Sequence, residues 1–288
     1  MSAHSAKAPL LTLCGSLSRL ASPLGRSVHE AGYRALGLPF TYVPFEVRDL
    51  AGALVGMRAL GIRGFGVSQP FKERVMPLLD AIDPVAESIG AVNTIVNDDS
   101  RLVGHNTDWL GATRALEAAR QLAGSRVLLL GAGGAARAIA FGLRERGADV
   151  VIANRDRGKA AGLASTTGAR DAGLDEARRA GDYDVLVNAT SVGQSDSAAT
   201  SLVPEEAIRR GQVVLNVVYK PLDTPLVVAA RRRGAVVLDG STMLLHQAAA
   251  QFELYTGRAA PLTAMQAALE QALGAALGKA RGQGQRRG

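Results

Sequence analysis

The chain has 288 residues, 47% hydrophobic and 20% charged, so it can bury a substantial core and is too long for a single mononucleotide-binding half. Its formal charge of +7 is scattered and aromatics make up only 4%, which leaves no stacking platform and argues against a nucleic-acid partner. No apolar run spans a bilayer, and the lone Cys14 excludes an internal disulfide and a cysteine zinc site. No metal site and no membrane partner are expected. Cys14 is read as a small apolar packing residue, and the short polar stretch Met1 to Pro9 lacks a signal core, which predicts a cytoplasmic protein.

Leu10 to Leu13 and Thr41 to Phe45 read as strands, with a helix around Val28 to Leu36 between them. A helix from about Leu50 to Leu60 closes at Gly61, and Gly64 to Ser68 reads as a strand running into Gln69-Pro-Phe-Lys72, where proline fixes the turn. Ile89 to Val96, a turn at Asn97 to Asp99, and Leu102 to Asp108 read as a hairpin whose second arm ends at a polar site. A helix from Trp109 to Ala123 follows.

The apolar strand from Val127 breaks into Gly131-Ala132-Gly133-Gly134-Ala135-Ala136 as a helical pattern begins. Gly131 permits a tight turn, Gly133 lets the backbone approach a pyrophosphate, and small Ala136 lets the helix lie close on its strand. With the second strand, Asp149 to Ala153, this makes one βαβ unit and predicts a dinucleotide site. A sterically required glycine turn and a methyl-donor site are the other readings.

That second strand ends in Asn154-Arg155, where an Asp or Glu would read a free ribose 2′-hydroxyl. A guanidinium there can lie against adenine and fork onto a 2′-phosphate, with Arg157 and Lys159 adding charge, so NADP is expected in preference to NAD. Asp156 opposes this, since a carboxylate repels the phosphate, and a solvated basic loop is the plain alternative.

Strands at Val185 to Val187, Val213 to Leu215 and Val236 to Leu238, with helical patterns before Gly211 and Gly234, predict a doubly wound parallel sheet. Helical periodicity resumes from Leu244 to Leu254 and from Leu262 to about Leu277, in helices expected to return to the first lobe. The expected organisation is two-lobed α/β. Residues 1–108 and 240–288 form a substrate-binding lobe, with a disordered basic tail from about 279, and residues 109–239 form a Rossmann-type NADP-binding domain. Hinges are expected near Asp108–Trp109 and Gly240.

Lys72 and Asp108 lie at strand ends, where open α/β sheets place ligands. Oxidising a secondary alcohol by hydride transfer needs a group to take the hydroxyl proton, and a Lys–Asp pair can do so. Singly, Lys72 also reads as a solvated lysine beginning a helix and Asp108 as a helix cap.

The wider pattern resembles the shikimate dehydrogenase family nearly end to end. Gly66-Val-Ser-Gln-Pro-Phe-Lys72 looks like its lysine motif, Gly90-Ala-Val-Asn-Thr94 its asparagine motif and Gly104-His-Asn-Thr-Asp108 its aspartate motif. Gly131 to Ala135, Asn154-Arg155, Asn188-Ala-Thr-Ser-Val-Gly193, Tyr219 to Pro225 and Met243-Leu-Leu-His-Gln247 follow in the family's order. The resemblance implies that Lys72 and Asp108 form a catalytic proton-transfer pair, and that Ser22, Ser68, Asn93, Asp108, Tyr219 and Gln247 bind substrate. For the cofactor it implies Gly131, Ala132, Gly133, Gly134, Ala135, Asn154, Arg155, Lys159, Thr190, Ser191, Val217 and Gly240. The implied protein is a monomeric or homodimeric enzyme of the chorismate pathway that reversibly oxidises shikimate, a polyhydroxylated ring carboxylate, to 3-dehydroshikimate.

Departures cluster near the substrate carboxylate. The family's serine clamp does not align across Ser18 to His29, where His29 lies six residues after Pro23. Gly66 stands for a common asparagine, Asn216 for an aspartate, Thr242 for a glycine and Gln194 for a methionine, as in the divergent shikimate dehydrogenase-like branch, which Gln251 to Gly257 also resembles. Arg19 or Arg26 is a candidate carboxylate contact in that loop. Quinate or an aminoshikimate-like acid as substrate, and a weakly catalytic NADP-binding regulatory protein, remain the alternatives.

Overall fold

The computed structural model describes residues 10–194 and 201–284, with side chains up to residue 275. The chain divides into two compact units, Met1–His105 with Ala248–Gly288, and Asn106–Gln247. The divisions fall at His105/Asn106 and Gln247/Ala248, where the sequence put the crossings at Asp108–Trp109 and Gly240.

The first unit is built on a 6-stranded mixed sheet in the order β2-β1-β3-β5-β6-β4. Its strands are β1 (Thr12–Ser18), β2 (Phe40–Glu46), β3 (Gly64–Val67), β4 (Ala81–Ile82), β5 (Thr94–Asp98) and β6 (Arg101–His105). Helix α1 (Pro23–Ala35) starts earlier than the apolar pattern indicated, because Ser22 caps it through Leu24 N–H and Pro23 occupies the first turn. Helices α2 (Leu50–Ala59), α3 (Phe71–Arg74) and α4 (Pro84–Ile89) follow. The expected strand from Ile89 is corrected. Asp83 caps α4 through Val85 N–H and Gly90 closes it at φ 71°, so the strand begins only at Thr94. The β5–β6 hairpin turns on Asp99 and Ser100, both at positive φ, which is the backbone a two-residue turn needs. One sheet face packs Leu17, Phe65, Val67 and Ile95 against Leu54 and Met57 of α2.

The second unit carries a 6-stranded sheet, order β12-β11-β10-β7-β8-β9, in which every neighbouring pair is parallel. Its strands are β7 (Arg126–Leu130), β8 (Asp149–Asn154), β9 (Arg170–Gly173), β10 (Val185–Asn188), β11 (Val213–Asn216) and β12 (Val236–Leu238). Helices α5 (Asp108–Glu117), α6 (Gly134–Glu145), α7 (Arg157–Thr167) and α8 (Pro225–Arg232) cover the sheet. Alternate strand residues feed two cores. Val127, Leu129, Val150, Ile152, Val187 and Leu215 pack with Ile139 and Leu143 of α6, while Leu128, Leu130, Val151, Leu186 and Val214 pack with Leu226 and Ala230 of α8. Coverage on both faces explains the near-continuous apolar runs of these strands. Strand order reverses between β7 and β10, the switch point of a Rossmann sheet.

Helix α5 ends at Glu117 rather than Ala123, and the chain then buries Leu122 and turns through Gly124 at φ 73°. Before Gly211 the expected helix is only a 3₁₀ turn, Glu205–Ala207. Helix α9 (Gly240–Thr256) runs through the division between units, and α10 (Leu262–Gly284) packs on α1. The tail expected from about 279 is helical to Gly284, continuing a segment rich in the helix formers Ala, Leu, Lys and Arg. Residues 285–288 and Met1 to Pro9 lie outside the described residues. No helix among the described residues is long and apolar enough to cross a membrane.

Candidate functional site

In the second unit the glycine turn sits at the switch point. Gly131 adopts φ 112°, and a Cβ there would lie 2.9 Å from the Ala189 carbonyl oxygen, so the β7 turn tolerates no side chain. Gly133 begins α6 without a side-chain cap, and a Cβ on it would meet nothing within 4 Å. Open space thus faces a helix start whose first N–H groups carry no capping side chain, an arrangement that suits a pyrophosphate. Ala136 is fully buried in the core beneath. Ala132, Gly134 and Ala135 are half-buried along the same turn.

At the end of β8, Asn154 Nδ2 donates to the Asp156 carbonyl at 3.1 Å. The Asp156 carboxylate caps α7, accepting from Lys159 N–H at 3.1 Å, and pairs with Lys159 Nζ at 4.0 Å. Arg157 pairs with Asp171 at 3.3 Å. Arg155 is exposed and has no ion pair or hydrogen bond among the described residues. The carboxylate expected to repel a 2′-phosphate is therefore engaged locally, which leaves Arg155 as the uncommitted cation of the three.

The ends of β10 and β11 are tied by buried amides. Asn188 Nδ2 donates to Asn216 Oδ1 at 2.8 Å, and Asn216 Nδ2 donates to Thr224 Oγ1 at 3.1 Å. Asn188 Oδ1 accepts from both N–H and Oγ1–H of Thr190, at 3.1 and 2.7 Å, which fixes the loop carrying exposed Ser191. Val217 N–H donates to the Asn188 carbonyl, and a Cβ on Gly240 would come within 2.7 Å of the Val217 carbonyl oxygen. Thr190 and Val217 thus bond to Asn188 and Gly240 lies against Val217 and Val218, while Tyr219 is 38% exposed with Lys220 over its ring.

Asp108 is buried at the start of α5, its N–H donating to Asn106 Oδ1 at 2.9 Å, and Thr107, not Asp108, is the cap residue. Gln247, half-buried on α9, lies against α5 at Gly111.

In the first unit, β3 delivers the chain to exposed Ser68 and then to half-buried Lys72 on α3. Backbone bonds hold this segment to the asparagine segment: Val67 N–H donates to the Asn93 carbonyl at 2.7 Å and Val92 N–H to the Lys72 carbonyl at 2.9 Å. Asn93 is buried, and its Oδ1 accepts from Thr94 Oγ1–H at 2.8 Å. Gln251, to which the sequence assigns no role beyond opening the Gln251 to Gly257 segment, donates to the Asn93 carbonyl and to Thr94. Around the altered clamp, Ser22 is the α1 cap and Arg19 and Arg26 are exposed. His29 is fully buried in the core, stacked on Tyr42 at 4.4 Å and beside Tyr33, Phe252 and Tyr255. Cys14 is buried, and burial pushes its thiol up to about 12, away from any nucleophilic role.

A parallel Rossmann sheet with a glycine turn, an uncapped helix start and an uncommitted arginine defines a dinucleotide-binding protein with an additional α/β unit. Family models then fix the kind. The shikimate dehydrogenase substrate binding domain matches residues 18–95, shikimate / quinate 5-dehydrogenase residues 113–212, and the shikimate 5′-dehydrogenase C-terminal domain residues 240–270. The shikimate dehydrogenase (NADP(+)) of Moorella thermoacetica is 43% identical over 88% of this chain and 92% of that relative. The Thermus thermophilus shikimate 5-dehydrogenase, solved with NADP(H) and shikimate, is 36% identical, with a TM-score of 0.83 over 91% of this chain and 99% of that one. A solved shikimate 5-dehydrogenase-like protein is 34% identical, with a TM-score of 0.82 over 92% and 98%. The chain belongs to the shikimate dehydrogenase family.

Proposed function

We propose that this chain is an NADP-dependent shikimate dehydrogenase, interconverting shikimate and 3-dehydroshikimate. The reading rests above all on the α6 start, uncapped behind Gly133, with Arg155 uncommitted among the described residues at the end of the next strand. Gly131 to Ala135 would hold the pyrophosphate, Asn154, Arg155 and Lys159 the adenosine phosphate, and Thr190, Ser191, Val217 and Gly240 would border the nicotinamide. When bound, NADP supplies the hydride acceptor. Lys72 then takes the proton of the reacting hydroxyl, and Asp108 supplies the carboxylate that stabilises the ammonium so formed. Asn93, Ser68 and Gln247 bind ring hydroxyls, while Ser22 and Tyr219 serve the carboxylate end, so that stereochemistry is read by groups of fixed polarity.

A second reading, quinate as substrate, is favoured by the altered clamp, where Ser22 caps α1 and His29 is turned into the core. Initial rates with shikimate and with quinate, each with NADP and with NAD, separate the two. Lys72→Ala is expected to lower kcat by about 10²-fold or more with the true substrate. NADP binding by the wild type without turnover of either acid would replace both readings with a nucleotide-binding regulatory protein.

A further inference from the structure

Buried polar groups of the first unit converge on Asn93. Its backbone carbonyl accepts from Val67 N–H at 2.7 Å and from Gln251 Nε2 at 3.1 Å. The same Nε2 lies 3.0 Å from Thr94 Oγ1, which in turn lies 2.8 Å from Asn93 Oδ1. Asn93 is 2% exposed, Thr94 0% and Gln251 5%.

The polarity of this chain of bonds follows from its backbone end. A carbonyl oxygen only accepts, so the end of Gln251 that meets Asn93 must be its NH₂ group. That NH₂ group only donates, so the Thr94 hydroxyl accepts from it and gives its own proton to Asn93 Oδ1. Oδ1 is thereby turned toward Thr94, and Nδ2 points the other way. Without such a tie an asparagine amide can flip and exchange donor for acceptor.

We infer that Gln251 is a positioning residue: through Thr94 it sets the orientation of the Asn93 amide, and so the hydrogen-bond polarity that Asn93 offers a ligand hydroxyl. This rests on the reading of Asn93 as a ring-hydroxyl contact. Gly66 contributes by its lack of a side chain, since a Cβ there would lie 3.1 Å from Gln251 Nε2 and 3.3 Å from the Tyr42 hydroxyl. The glycine that stands where the family commonly has asparagine thus leaves room for a long amide from α9. A site oriented in this way discriminates between ring acids by whether their hydroxyl meets a donor or an acceptor.

The test is a set of double-mutant cycles on the full chain. Gln251→Met and Thr94→Val are made alone and with Asn93→Ala, and kcat, shikimate KM and NADP KM are measured. Each relay variant is expected to raise shikimate KM about tenfold while kcat and NADP KM stay within about twofold. Combined with Asn93→Ala, neither adds more than about twofold, because both act through the same side chain. Unchanged shikimate KM in the relay variants, or effects that multiply with that of Asn93→Ala, would overturn the relay while leaving the Asn93 contact standing. Unchanged shikimate KM in Asn93→Ala itself would instead overturn the ligand contact, and the relay's functional role with it. Thr94→Val keeps the side chain's shape, so it decides the matter if the Gln251 variant fails to fold.

Discussion

Gly111 lies directly against Gln247. A Cβ at position 111 would come within 2.8 Å of the Gln247 Cβ and within 2.8 Å of the Met243 carbonyl oxygen. Glycine in a helix interior costs about 1 kcal/mol relative to alanine, so its presence one turn after Asp108 needs a reason, and close approach of α5 to α9 supplies it. Gly111→Ala gains helix propensity but forces the two helices apart, and overpacking of this kind costs about 1–3 kcal/mol. The net expectation is a loss of stability in urea unfolding, with a raised KM for the ring acid, since Asp108 and Gln247 ride on the displaced helices. An unchanged unfolding midpoint would show that the helices yield without strain.

Arg155 is the residue proposed to carry the preference for NADP. Of the three cations after β8, Arg157 is paired with Asp171 and Lys159 with Asp156, while Arg155 is uncommitted among the described residues. A charge-assisted bond contributes about 1.5–3 kcal/mol, so Arg155→Gln is expected to raise NADP KM by roughly 10- to 100-fold and to leave NAD KM nearly unchanged. Equal losses for both nucleotides would place Arg155 on the adenine rather than on the 2′-phosphate.

The features legible in the sequence are those where backbone geometry admits few residues. The Gly131 turn needs positive φ and the approach to Ala189 needs no Cβ, so the motif and its switch-point position follow from the glycines themselves. The parallel strands were legible because both of their faces are buried. Boundaries differ where capping outranks periodicity: Ser22-Pro23 starts α1 and Asp83-Pro84 starts α4, ahead of the apolar residues that carry the pattern. β4 has only two residues, and β9, Arg170–Gly173, carries no apolar run because half of it is exposed and the rest only half-buried, so neither gave a strand signal. Gln251 was hidden for another reason. Its partners are a backbone carbonyl and a hydroxyl on a strand far away in the chain, and neither leaves a mark near position 251. The sequence did carry one hint, a glycine at position 66 where bulk is usual.

His29 should make stability depend on pH. Burial lowers its imidazole to about 4, with the nearby Gln251 amide opposing, and neither ring nitrogen has a hydrogen-bond partner within the aromatic cluster. The groups packed on it from α1, β2 and α9 are Tyr33, Tyr42, Phe252 and Tyr255, all uncharged near neutrality. In the unfolded chain a histidine titrates near 6.5, so between that value and about 4 the unfolded state binds the extra proton. The stabilisation is therefore complete above about pH 6.5 and is lost as pH falls through the folded value, by roughly 3 kcal/mol in all. His29→Phe keeps an aromatic ring against Tyr42 and removes the titrating group. Urea unfolding at pH 7.5 and 4.5 is expected to show a smaller drop for the variant than for the parent chain, by about 2–3 kcal/mol. Equal drops would mean that His29 already finds a proton acceptor in the folded state, with the Gln251 carbonyl oxygen the first atom to examine.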